Sequence, residues 1–197
     1  MRTLFVTCGS TVPFPQLAQC VANDQFVSLL ARLQFHRVII QFGKNYVDEF
    51  NKLLAMLKGN NDVTDRSLDA QTLQTDIIPC YTRVHGVEIY GLEFLRDIQH
   101  VISKYADLVI SHAGTGSILD SLRLSKPLIV CVNGNLMDNH QQQIADRFES
   151  NRYVWATSPD LNKLMACVAN SQMETLASFP RAHNQLFEQL LRDIPYN

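Results

Sequence analysis

Three short polar stretches in this 197-residue chain carry groups suited to holding a phosphorylated ligand. The most pronounced is Ser111-His112-Ala113-Gly114-Thr115-Gly116-Ser117. It follows the apolar run Asp107-Leu108-Val109-Ile110 and leads into a helical pattern from Ile118 to Leu124. Gly114 and Gly116 let backbone approach a ligand closely. Thr115 and Ser117 can cap the helix and donate hydroxyls. Free N–H groups and the positive end of the helix dipole then face an anion, phosphate above all. The same glycines also serve an ordinary strand-to-helix turn, and spacing alone leaves both readings open. G-x-x-x-x-G-K-[ST] is absent, and Gly114 to Leu119 supplies only two of the three glycines of G-x-G-x-x-G. Dinucleotide binding is therefore a weak match.

The second stretch is Asn135-Leu136-Met137-Asp138-Asn139-His140-Gln141-Gln142-Gln143, after the apolar run Leu128 to Val132. Asn139 to Gln143 offer amide or imidazole groups at a helix start, and amides both donate and accept, as sugar hydroxyls require. A solvated helix start capped by Asp138 is the plainer alternative. The third is Thr7-Cys8-Gly9-Ser10-Thr11, again a small polar turn after a strand, with a plain loop as its alternative. All three lie at the carboxyl ends of strands, so one crevice could collect them.

The elements that must position these loops alternate. Leu4 to Thr7 reads as a buried strand, and Pro15 to about Phe35 as a helix with Leu17, Val21, Leu29, Leu30 and Leu33 as apolar positions. Arg37 to Phe42 is a second strand, stopped by Gly43. Val47 to Lys58 is a helix with Phe50, Leu53, Leu54 and Leu57 at i, i+3, i+4, i+7. Residues 59–76 are polar and lack an apolar period, which reads as a surface loop or insertion. Ile77-Ile78 and Val87 to Tyr90 are weaker strands, and Leu95 to Tyr105 is helical. After the strand, turn and helix of 107–124 come a strand from Pro127 to Val132 and a helix from Asn139 to Glu149. A last strand spans Tyr153 to Trp155, and helices run from Pro159 to Ala169 and His183 to Ile194. Apolar strands alternating with helices predict one α/β domain over 1–197: a Rossmann-like, mostly parallel sheet with helices on both faces. Ligands of such sheets bind at the carboxyl ends of the strands.

The composition, 46% hydrophobic and 18% charged, supports a core and excludes global disorder. A net charge of -2 without any Lys/Arg run argues against a nucleic-acid partner. No apolar run reaches the roughly 18 residues that a membrane-spanning helix needs. The apolar run at the N-terminus is too short for a signal-peptide core. The cysteines Cys8, Cys20, Cys80, Cys131 and Cys167 are odd in number, with no C-x-x-C, which reads as reduced thiols in the cytosol.

VTCGST at 6–11, IIQFGKN at 39–45, SHAGTGSILDSLRLSKPLIVCVN at 111–133 and LMDNHQQQIADRF at 136–148 together resemble one family. It is the cytosolic catalytic subunit of the two-subunit UDP-N-acetylglucosamine transferase of asparagine-linked glycosylation, in its yeast form. That subunit is similar to the C-terminal, nucleotide-sugar-binding half of bacterial MurG, a glycosyltransferase of GT-B architecture. The resemblance implies transfer of N-acetylglucosamine (GlcNAc) from UDP-GlcNAc to GlcNAc-diphospho-dolichol, with inversion at the anomeric carbon. It also implies a membrane-anchored second subunit. That partner supplies the acceptor-binding half and brings a cytoplasmic chain to the cytosolic face of the endoplasmic reticulum.

Site roles follow from the same resemblance. Gly9, Ser10 and Thr11 match the loop bordering the diphosphate and the inter-subunit cleft. Gly114, Thr115, Gly116 and Ser117 match the loop and helix start facing the diphosphate. Asp120 stands where MurG-like enzymes carry a ribose-binding glutamate, and its shorter carboxylate must reach further. His140 and Gln141, with Asn139 beside them, match the polar residues holding the donor sugar, although the His departs from the pattern. His112 is a candidate base, but MurG-like enzymes place the base in the other half, which leaves it a loop-orienting role. No D-x-D occurs, so the expectation is no metal and no cofactor, with helix N-termini stabilising the leaving UDP. Phe187, Leu190, Leu191 and Ile194 form a terminal stripe at helical spacing, which either packs on its own domain or docks the membrane subunit. Two rivals stand beside the transferase: a non-catalytic nucleotide-binding regulatory subunit of the same fold, and a small NAD(P)-dependent oxidoreductase.

Overall fold

The apolar runs and helical patterns assemble into one sheet in the computed structural model. It describes residues 1–10, 12–60, 68, 71–73, 75, 80–133 and 139–180, with Asn139 and His140 as backbone alone. The first half of the chain contains β1 (Arg2–Thr7), α1 (Pro15–Val21), α2 (Asp24–Arg32), β2 (Phe35–Gln41), α3 (Val47–Met56), β3 (Cys80–Val84) and β4 (Val87–Leu92). Then come α4 (Ile98–Tyr105), β5 (Leu108–Ser111), α5 (Thr115–Arg123), β6 (Leu128–Cys131), α6 (Asn139–Ser150), β7 (Trp155–Thr157) and α7 (Leu161–Asn170).

The strand order is β3-β4-β2-β1-β5-β6-β7. Every neighbouring pair is parallel except β3 with β4. Side chains alternate between two apolar layers, as the period of a strand requires. Leu4, Val6, Val38, Ile40 and Ile110 enter one layer with helices α1, α2, α3 and α7. Phe5, Ile39 and Val109 enter the other with α4, α5 and α6. Burial on both faces explains why these strands are apolar runs rather than alternating patterns. The chain steps outward from β1 through β2 to β4, then returns to lay β5 on the opposite side of β1. That reversal opens a crevice at the carboxyl ends of β1 and β5.

Several expectations need correction. The helix expected over 15–35 is two helices. The chain breaks at Ala22-Asn23, and the Asn23 side chain accepts a hydrogen bond from the Gln25 N–H at 2.9 Å as the cap of α2. Phe35 belongs to β2 and is buried. Strand β3 was not anticipated. It pairs antiparallel with β4 through His85-Gly86, whose φ values of 51° and 80° suit a two-residue hairpin turn. Of the polar stretch 59–76 only part is described. Leu68 and Leu73 are buried in the second apolar layer, so these two leucines do not lie on the surface. Ile77-Ile78 and the C-terminal pattern 183–194 lie outside the described residues.

One buried polar cluster ties β2, β4 and Leu68 together. Arg37 Nε donates to Glu88 Oε2 at 3.4 Å, and the Tyr90 hydroxyl donates to Glu88 Oε1 at 3.0 Å. The Leu68 N–H donates to the Tyr90 oxygen at 3.0 Å. Among the described residues no helix is long and apolar enough to cross a membrane.

Candidate functional site

A cleft of about 580 Å³ lies over the carboxyl ends of the central strands. The loop after β1 forms one wall, with Gly9 and Ser10 lining it. Gly9 has φ 95°, a left-handed conformation natural to glycine. The buried Gln41 side chain holds this loop from below. Its Nε2 donates to the Gly9 carbonyl at 3.3 Å, and its Oε1 accepts from the Leu95 N–H at 3.3 Å. One amide thus fixes the loops after β1 and β4 to each other. Cys8 also lines the cleft, but burial, and secondarily Cys131, pushes its thiol far above the usual range. It is a neutral wall rather than a nucleophile.

The loop after β5 forms the second wall. Ala113, buried at φ 66°, turns the chain sharply between His112 and Gly114. Gly114 is the N-cap of α5 and makes no side-chain cap bond. This corrects the expectation that Thr115 and Ser117 cap the helix, since both lie within its first turn. Ser117 Oγ instead donates to the Gly114 carbonyl at 3.0 Å and lies 2.6 Å from Ser111 Oγ. The first helical bond runs from the Ile118 N–H to the Gly114 carbonyl at 3.1 Å. The N–H groups of Thr115, Gly116 and Ser117 precede it and have no intrahelical partner, which makes this end attractive to an anion.

His112 lies between the two glycine loops. Its Nδ1 is 3.3 Å from the Thr7 carbonyl, and that contact assigns the proton to Nδ1. Burial lowers its pKa below the usual imidazole range, and the Thr7 contact opposes this in part. The imidazole is therefore neutral at pH 7, with Nε2 as the acceptor.

The remaining walls are chemically distinct. Phe94, Leu95 and Ile98, from the β4–α4 loop and the start of α4, form an apolar face with Arg96 beside it. Asp120, half-buried in α5, supplies a carboxylate, and Asn133 and Gln141 supply amides. Gln141 Oε1 is buried and has no hydrogen-bond partner among the described residues. An apolar face suits a flat base, a carboxylate suits a vicinal diol, a helix N-terminus suits a diphosphate, and amides suit sugar hydroxyls.

Of the sequence-derived site residues, Gly9, Ser10, Gly114, Gly116, Ser117, Asp120 and Gln141 meet in this cleft, as does His112. Thr115 is the first residue of α5 with an exposed side chain that is not part of the wall. Asn139 and His140 open α6 as backbone alone, and Thr11, Phe187, Leu190, Leu191 and Ile194 lie outside the described residues. The sequence reading missed Gln41, Phe94, Leu95, Arg96, Ile98 and Asn133. Among the described residues no three His, Cys, Asp or Glu side chains converge as metal ligands.

A mostly parallel sheet with helices on both faces and its cleft at this reversal is the architecture of the C-terminal half of a GT-B glycosyltransferase. The chain belongs to the glycosyltransferase family 28 C-terminal domain family, whose model matches residues 3–194. It is 49% identical over 197 residues to the UDP-N-acetylglucosamine transferase subunit ALG13 of Saccharomyces cerevisiae, covering 100% of this chain and 97% of the relative. An NMR solution structure of ALG13 superposes with a TM-score of 0.74 at 48% identity, over 96% of this chain and 94% of that one. The crystal structure of Acinetobacter baumannii MurG gives a TM-score of 0.57 at 17% identity, over 87% of this chain and 42% of MurG. At that identity the likeness is one of fold. The resemblance read from the motifs, to the UDP-N-acetylglucosamine transferase subunit and to MurG, is borne out.

Proposed function

We propose that this chain is the catalytic, UDP-GlcNAc-binding subunit of a two-subunit glycosyltransferase that adds the second GlcNAc to GlcNAc-diphospho-dolichol. The observation that carries the reading is the meeting of the Gly9–Ser10 loop, the α5 N-terminus and Asp120 in one cleft. The base lies on the face of Phe94, Leu95 and Ile98, and Asp120 accepts from the ribose hydroxyls. The diphosphate lies at the N–H groups of Gly116 and Ser117, where the helix end stabilises the charge that develops as UDP leaves. Gln141, with Asn139 and His140, holds the donor sugar. The acceptor hydroxyl attacks the anomeric carbon from the side opposite UDP, which inverts that centre. His112 orients the two glycine loops, and the base that takes the hydroxyl proton comes from the partner half.

The deciding experiment measures GlcNAc transfer from UDP-GlcNAc to the lipid acceptor, with each subunit alone and with both. Transfer only when both are present is expected. Transfer by the partner alone, at a rate that this chain only raises or lowers, would establish the regulatory alternative. Asp120→Ala removes a charge-assisted bond in a half-buried, partly solvated position, worth about 1.5 kcal/mol at the low end of such bonds. That corresponds to roughly a tenfold fall in kcat/KM for UDP-GlcNAc. Unchanged kinetics in the folded variant would remove Asp120 from the site.

The second subunit, in this reading, is anchored in the endoplasmic reticulum membrane and receives the stripe Phe187, Leu190, Leu191 and Ile194. Leu190→Asp combined with Leu191→Asp should leave circular dichroism unchanged and move the chain from the membrane fraction to the supernatant. A folded variant that still co-sediments with the partner would exclude the stripe, and an unfolded one would assign it to the chain's own core.

A further inference from the structure

We propose that Gln99 is a positioning residue for Asp120, and that the pair sets the preference for a nucleotide carrying ribose over one carrying 2′-deoxyribose. Gln99 is the second residue of α4, and its Nε2 donates to Asp120 Oδ1 at 2.9 Å across the gap to α5. Ile98, one residue earlier, and Asp120 both line the cleft, whereas Gln99 is exposed and outside the wall. Gln99 therefore reaches the carboxylate from behind and does not itself face the ligand. With Oδ1 engaged, Oδ2 keeps its full acceptor capacity for a sugar hydroxyl. A short carboxylate held in one orientation is already arranged for a diol, so binding need not order it.

The placement argues against a purely structural purpose. A hydrogen bond from an exposed amide to a half-buried, partly solvated carboxylate adds little to folding. This bond nevertheless joins two helices whose N-terminal turns border the same cleft, and it ends on the one cleft carboxylate in α5. The inference rests on the reading of Asp120 as a ribose ligand.

The test uses the full chain with its membrane partner. Affinities for UDP and 2′-deoxy-UDP are measured by titration, alongside KM and kcat for UDP-GlcNAc. Gln99→Ala is expected to weaken UDP about 3- to 10-fold, the effect of one such hydrogen bond, and to raise KM with little change in kcat. The preference for UDP over 2′-deoxy-UDP should fall by a similar factor. In an Asp120→Ala background the same substitution should change UDP affinity by less than about twofold, because coupled residues are not additive. The isosteric Gln99→Glu, which sets a second carboxylate against the first, should lose more than Gln99→Ala.

Equal losses in both backgrounds, or unchanged UDP affinity in Gln99→Ala, would overturn the proposal. If the wild-type chain binds no UDP, the proposed function fails and this inference with it. If UDP binds and Asp120→Ala weakens it while Gln99→Ala does not, only the role of Gln99 falls.

Discussion

Glu88→Ala is expected to destabilise the folded chain by about 3–5 kcal/mol, the cost of removing one partner from a buried ion pair. Arg37 is 6% exposed and Glu88 2%, so the guanidinium would stay in the protein interior with its bond to Glu88 lost. The Tyr90 hydroxyl would lose its acceptor as well, and Tyr90 in turn receives the Leu68 N–H. The loss therefore spreads from the β2–β4 pairing to Leu68. Urea unfolding should report it as a lower midpoint at an unchanged slope. Glu88→Gln keeps the shape and an acceptor and should cost less. Arg37→Met with Glu88→Leu, which removes both charges, should recover most of the stability, since apolar replacements of buried pairs are often neutral or better. An unchanged midpoint in Glu88→Ala would mean that the pair is solvated in solution. Arg37 and Glu88 lie in the amino-terminal halves of β2 and β4, and no residue of the cluster lines the cleft, so UDP affinity of the folded protein should not move.

The sequence was readable wherever a demand is local. Leu4 to Val6, Leu108 to Ile110 and Leu128 to Cys131 are apolar because both faces of the sheet are covered, and all three lie in strands. Gly9 could be found because its φ of 95° leaves its mark in residue type, and Gly114 because a Cβ there would meet His112, whereas no protein atom within 4 Å of a Cβ at 116 calls for glycine there. What escaped depends on distance in space. Gln41 acts through two carbonyl and amide contacts on loops 32 and 54 residues away. Leu95 to Ile98 read as a helix start, yet the helix begins only at Ile98, where Asp97 caps it by accepting from the His100 N–H at 2.8 Å. The residues before that cap are free to form the apolar wall, and Asp97 was the available signal. His85-Gly86 likewise marks the β3–β4 hairpin, but the apolar pair Ile77-Ile78 pointed to a strand just before it. The break between α1 and α2 was written in Asn23-Asp24, a capping residue followed by an acid.

Gly114→Ala should lower transfer about 100-fold, because displacements of about 1 Å in a reacting site cost that much. The substitution is permitted by the backbone, since Gly114 has φ -71° and ψ 127°. The obstacle is steric. A Cβ there would lie 2.5 Å from His112 Nε2 and 2.9 Å from Cε1. The imidazole cannot simply retreat. Its Nδ1 is held to the Thr7 carbonyl at 3.3 Å, and turning the ring away from position 114 breaks that contact. Either the ring or the α5 N-terminus must shift, and both border the cleft. Wild-type kinetics in a folded Gly114→Ala protein would show that the two glycine loops do not set the donor geometry. The double variant Gly114→Ala with His112→Ala removes the clash and separates the two roles open to His112. If the histidine only orients the loops, KM and kcat should both recover toward the values of His112→Ala alone, and that single variant should keep most of its turnover. If the histidine takes the acceptor proton, KM should recover while kcat stays low in both, because no substitution at position 114 restores a base.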